Sequence, residues 1–167
     1  TKQRPMLLLQ GGIGNGKTTT VQCLSTAIAM LRQYADNKLS KDKWQMSHGD
    51  ILQYEALRAM PLAMPTPATE IIERANDNGA LANMKRCQLL IIDDLGTEPA
   101  MTKIYGTEAT PIVDIICYRY EKQMATIITT NLNDKAIAER YGARVADRLT
   151  EAAEKLVYKL PSYRTKR

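Results

Sequence analysis

Eight consecutive residues carry the plainest chemistry in this 167-residue chain: Gly11-Gly12-Ile13-Gly14-Asn15-Gly16-Lys17-Thr18. They satisfy GxxxxGK[ST] at every required position. Glycines let successive backbone N–H groups curl around a phosphate without Cβ clashes. A helix starting at the end of such a turn points its positive dipole end at the anion. Lys17 then places a point charge on the β- and γ-phosphates, and the Thr18 hydroxyl ligates magnesium. Thr19 adds contact on the α-phosphate side. The pattern predicts ATP or ADP with Mg2+ as ligand. A plain glycine-rich turn is the competing reading. The apolar run before the segment and the helical pattern after it count against that.

A second cluster suits the same ligand. Leu89-Leu90-Ile91-Ile92-Asp93-Asp94 is an apolar run ending in two carboxylates. The first acid at such a strand end can hold magnesium, usually through water, which assigns Asp93 to the metal with Thr18. The next acid can polarise the attacking water, which assigns Asp94 as general base. Asp is one methylene shorter than the Glu common at this place, so its reach is shorter. Thr126-Ile127-Ile128-Thr129-Thr130-Asn131 ends in hydroxyls and an amide. Asn131 is placed to orient water with Asp94; alternatively it caps a turn before Asp134. Arg140, Arg144 and Arg148 follow at intervals of four. If a helix re-forms after Gly142, Arg144 and Arg148 share a face. A guanidinium there can stabilise a neighbour's γ-phosphate, or simply pair with Glu151 or Asp147.

Positioning these groups takes alternating strands and helices. Apolar runs at residues 6–9, 89–92, 125–130 and 156–158 read as strands, and 44–47 is a further candidate. Residues 17–33 read as a helix, with Val21, Leu24, Ile28 and Leu31 on one face. Residues 50–60 read as the next helix. Thr66-Pro67 reads as a helix start, and Asn78-Gly79 as that helix's stop. Residues 96–109 read as a loop, and 110–120, 134–141 and 143–154 as helices. This order implies one α/β domain over residues 1–167: a parallel five-stranded sheet, helices on both faces, in three layers. Ligands on such sheets bind at the carboxyl ends of the strands, where each motif above falls.

Composition fits and excludes. Apolar residues make up 44%, with no Phe, one Trp and eight Met, so the core is aliphatic. The net charge of +5 suits an anionic partner without requiring one. Cys23, Cys87 and Cys117 show no metal or redox spacing and read as reduced thiols of a cytoplasmic protein. His48 is the sole histidine, which excludes His-based triads and multi-His metal sites. No apolar run reaches membrane-spanning length, so no membrane partner is expected.

In order, GGIGNGKT, LLIIDDLGTE, TIITTN, RYGARVADRL and a terminal PSYR resemble the bacterial helicase loaders DnaC and DnaI. They are equally similar to the IstB transposition helper ATPases. The resemblance spans nearly all of residues 5–164. It implies an AAA+ P-loop NTPase core without the usual helical lid. It implies that Asn131 is sensor 1, that Arg148 is the arginine finger with Arg144 as second candidate, and that chains self-associate through that finger. It also implies a replicative helicase as partner (a transposase if IstB-like), single-stranded DNA binding in the ATP state, and a helicase-binding region ahead of this core. Asp147 departs from the Ser common there and is a candidate pair for Arg144 or Arg148. The basic groups for DNA would be Arg140, Arg144, Arg148, Lys155, Lys159, Arg164, Lys166 and Arg167. Two other functions share the phosphate site. A small-molecule kinase needs an acceptor pocket and an arginine-bearing lid, of which no signature follows Asp94. A nucleotide-gated adaptor needs only binding.

Overall fold

The computed structural model describes residues 4–99, 102–104, 107–159 and 161–163. The basic-tail residues Arg164, Lys166 and Arg167 lie outside them.

The chain opens with β1 (Met6–Gly11), the glycine-rich turn and α1 (Lys17–Asp42). A 3-10 turn (Lys43–Gln45) leads to α2 (His48–Arg58). Then come β2 (Pro65–Pro67), α3 (Ala68–Glu73), α4 (Asn78–Arg86) and β3 (Leu89–Leu95). A small antiparallel hairpin, β4 (Thr102–Ile104) and β5 (Thr107–Ala109), precedes α5 (Pro111–Glu121). The last elements are β6 (Ala125–Thr130), α6 (Asp134–Tyr141), α7 (Ala143–Ala152) and β7 (Ala153–Tyr158).

Five strands form one parallel sheet in the order β2-β3-β6-β1-β7. Strand side chains alternate between faces, so a continuous apolar run serves two cores at once. Leu8, Leu90, Ile92 and Ile128 pack on one face against Ile71 of α3, Ile112 and Ile116 of α5 and Leu149 of α7. Leu9, Ile91 and Ile127 pack on the other against Val21 of α1. The result is the three-layer α/β arrangement that the alternation of elements implies.

Several local expectations are corrected. Helix α1 runs nine residues past Gln33, since no Gly or Pro interrupts 34–42 and Lys38 pairs with Asp42 at 3.0 Å. Its buried stripe is Val21, Ser25, Ile28, Ala35 and Leu39; Leu24 and Leu31 lie on the exposed flank. Val21 and Ile28 of the expected face are buried, while the small Ser25 and Ala35 take buried places that apolar spacing does not mark. Residues 44–47 form no strand. Trp44 is 98% exposed on the 3-10 turn, and Ser47 caps α2 by accepting from Asp50 N at 3.2 Å. The fifth strand is instead Pro65–Pro67, at the sheet edge where prolines leave no ladder donor missing. Thr66 does not cap α3; Pro67 stands at that position, and the Thr66 hydroxyl donates to Met64 O at 3.4 Å. Asn78-Gly79 opens a helix rather than ending one, because Asp77 Oδ1 accepts from Gly79 N and Ala80 N at 2.8 and 3.0 Å. The 96–109 segment holds the β4–β5 hairpin rather than a plain loop.

Candidate nucleotide site

The carboxyl ends of β1, β3 and β6 meet beneath one open pocket of about 240 Å³. Gly11 ends β1 in a place too tight for any side chain. A Cβ there would stand 2.5 Å from Tyr158 O and 2.6 Å from Asn15 Nδ2. Gly16 closes the turn in the left-handed region, with φ 94°, and α1 starts directly after it. No side chain caps that helix, and its first turn holds no acid, so the leading N–H groups remain available to an anion.

Lys17 is buried at the floor of the turn. Its ammonium donates to Gly11 O at 2.9 Å, Gly12 O at 2.8 Å, Asn15 Oδ1 at 3.1 Å and Asn131 Oδ1 at 2.7 Å. Burial lowers its pKa from the ordinary lysine value, while the Asp94 and Asp93 carboxylates oppose that shift. Asn15 has a second function: its Nδ2 donates to Tyr158 O at 3.2 Å, which ties the turn to the end of β7.

The two acids differ in setting. Asp93 is buried, and its Oδ1 accepts from Thr18 Oγ1 at 3.1 Å and from Thr129 Oγ1 at 2.6 Å. Asp94 follows at a break in the β3–β6 register, with φ 54°. That is an unfavourable backbone for a side chain with a Cβ. Asp94 N donates to Thr129 Oγ1 at 2.8 Å, which helps hold the bend. The bend turns Asp94 into the pocket beside Asn131, Lys17 and Thr18. Thr129 thus fixes both acids, a role that β6's sequence did not single out. Asn131 does not cap α6; Asn133 does, accepting from Ala136 N at 2.8 Å.

Residues 13–19, Asp94 and Asn131 line the pocket together with Tyr163, a residue outside every local phosphate-site pattern. Gly11 and Gly12 contribute carbonyl oxygens to Lys17, and Asp93 lies just behind, on Thr18. The chemistry of this set fits magnesium bound to phosphate: one hydroxyl and one carboxylate, both hard oxygen donors, side by side. Among the described residues no cluster of three or more His, Cys, Asp or Glu offers an all-protein metal cage.

The arginines stand apart from this pocket. Arg148 Nη2 donates to Glu121 Oε1 at 2.9 Å, and its guanidinium lies 4.9 Å from the Tyr120 ring centroid. Arg144 reaches the same carboxylate at 3.6 Å, with its side chain 73% exposed against 12% for Arg148. Both arginines thus share Glu121, a partner on α5 rather than a neighbour on their own helix. Glu151 accepts instead from the Tyr120 hydroxyl. Arg140 donates to Glu98 O, and the buried Glu98 carboxylate also accepts from the Tyr141 hydroxyl and from Gly96 N at 2.9 Å. Lys155 pairs with Asp134 at 2.7 Å. Much of the basic surface expected in the last third is thus neutralised within the chain.

The sequence matches no protein-family model and no curated protein. Solved structures do match its fold. DnaI superposes with a TM-score of 0.59 at 18% identity, over 96% of this chain and 73% of that one. The DnaC helicase loader gives 0.58 at 23% identity, over 94% and 80%. AMPPCP-bound DnaA from Aquifex aeolicus gives 0.55 at 16% identity, over 96% of this chain but 42% of DnaA. No described helix is long and apolar enough to cross a membrane. Motif order and backbone agree: the chain has the α/β P-loop fold of AAA+ proteins and resembles the DnaC and DnaI helicase loaders.

Proposed function

We propose that this chain binds Mg-ATP and hydrolyses it as the ATPase core of a replicative helicase loader. The observation that carries the reading is the convergence of Lys17, Thr18, Asp93, Asp94 and Asn131 on one pocket from three separate strand ends. Lys17 and the N-terminal turn of α1 bind the phosphates. Thr18 and Asp93 would hold magnesium, which when bound neutralises charge on the phosphate oxygens. Asp94 accepts the proton of the attacking water, and Asn131 orients that water. Arg148 or Arg144 of a neighbouring chain completes the site. Single-stranded DNA binds the assembled chains through basic groups of the last third of the chain.

Asp94→Asn tests the hydrolytic step. We expect turnover to fall about 10²-fold or more with ADP and ATP affinity kept within about threefold. Unchanged turnover would remove Asp94 as the base. One feature favours a second reading, a nucleotide-gated adaptor: Asp94 is a short acid. Wild-type turnover no faster than that of Asp94→Asn, with ATP-dependent partner binding intact, would select the adaptor.

A further inference from the structure

The nucleotide reading accounts for the polar lining of the pocket but not for two large, exposed apolar side chains in it. Ile13 is 71% exposed and Tyr163 56% exposed, and both line the cavity. Solvent-facing apolar groups in the lining of a ligand pocket call for an apolar occupant, and an aromatic one calls for a flat occupant.

Topology explains how Tyr163 arrives there. β7 runs parallel to β1, with Tyr158 paired to Gly11, so the chain leaves the sheet beside the phosphate turn. The exit is fastened twice: Asn15 Nδ2 donates to Tyr158 O at 3.2 Å, and the Tyr158 hydroxyl donates to Thr20 Oγ1 at 2.9 Å. Five residues on, Tyr163 N donates to Gly14 O at 2.9 Å. The ring then stands over the last glycine of the turn. Its Cε2 is 3.8 Å from where a Gly16 Cβ would be. The backbone is thus tied to the turn while the aromatic face is left to the pocket.

Resting on the nucleotide reading of this pocket, we propose that Tyr163 and Ile13 form the nucleoside-binding end of the site. Tyr163 stacks on the purine base and Ile13 contacts it from the turn. Tyr163 thereby supplies a wall that holds the base. An aromatic ring accepts any purine face, so the pair adds affinity and only weak selectivity between adenine and guanine.

Three ligands separate this role from a general one: ADP, ATP and inorganic tripolyphosphate, titrated calorimetrically in magnesium. Tyr163→Ala keeps the main-chain bond to Gly14 and removes only the ring. ADP and ATP affinities should each fall about tenfold, the loss expected for one stacked base. Tripolyphosphate affinity should stay within about twofold, and Tyr163→Phe should bind ADP like wild type. Equal losses for ADP and tripolyphosphate would overturn the proposal, because the ring would then merely support the turn. No loss for either would overturn it as well. If wild type bound neither tripolyphosphate nor ADP, the phosphate reading itself would fail, and this proposal with it.

Discussion

One hydroxyl at the site serves two acids. Thr129 Oγ1 donates to Asp93 and accepts from Asp94 N, so it fixes the proposed metal residue and the bend that aims the proposed base. Thr129→Val is nearly isosteric yet breaks both bonds. We expect a stability loss of about 1–2 kcal/mol by denaturant titration, and turnover lowered about tenfold with nucleotide affinity little changed. Intact turnover would show that Asp94 is aimed without it. Lys17 gives a pH prediction. In the proposed site its ammonium is the phosphate-binding form, and burial lowers its pKa from the ordinary lysine value. Affinity for ADP should therefore decline as pH rises through the lowered value, starting before an ordinary lysine would titrate. Titrations at pH 7 to 10 check this; affinity flat across the range would contradict it. The identities of Lys17, Thr18, Asp93 and Asp94 were legible because each lies in a local pattern. Thr129 and Tyr163 were not, because their roles arise from strand register and from a chain exit that local patterns do not encode.

Among the elements, the central strands were legible from their apolar runs and the edge strand was not. Pro65–Pro67 has a single strand-favouring residue, Thr66, between two prolines, and pairs along the edge that β3 presents. The stripe on α1 was legible in part, since the buried Ser25 and Ala35 are not marked by apolar spacing. Arg119 shows another contribution that patterning conceals. It falls on the apolar face of α5 and is 0% exposed. Its guanidinium donates to Met84 O at 3.0 Å, Cys87 O at 2.9 Å, Ala125 O at 2.5 Å and Thr126 Oγ1 at 2.8 Å. The last carbonyls of α4 and that of Cys87, which leads into β3, are thereby joined to the start of β6. Arg119→Leu leaves those buried acceptors without the donor. We expect about 3 kcal/mol of destabilisation and a melting temperature lower by about 10 °C, with ADP affinity of the folded protein unchanged. A melting temperature within about 2 °C of wild type would show that other donors replace it.

For the whole molecule, the arginines decide whether the site is complete in one chain. Arg144 and Arg148 share Glu121, and neither lines the pocket of its own chain. An arginine acting across a subunit boundary predicts complementation. Arg148→Ala and Asp94→Asn should each be nearly inactive alone, and mixing them should restore measurable turnover at mixed interfaces. Arg144→Ala, taken through the same mixing, tells which arginine acts; the more exposed Arg144 needs less rearrangement to reach a neighbour. Failure of every mixture, with assembly intact, would place the arginines outside the reaction. A parallel sheet also separates the molecule into two ends. The proposed phosphate chemistry falls where β1, β3 and β6 finish, and Arg119 fastens the end where β3 and β6 begin. In a deep mutational scan the two ends should give different phenotypes. Substitutions at the fastened end lower the amount of protein that survives in the cell, whereas those at the chemical end leave abundance intact and silence each molecule.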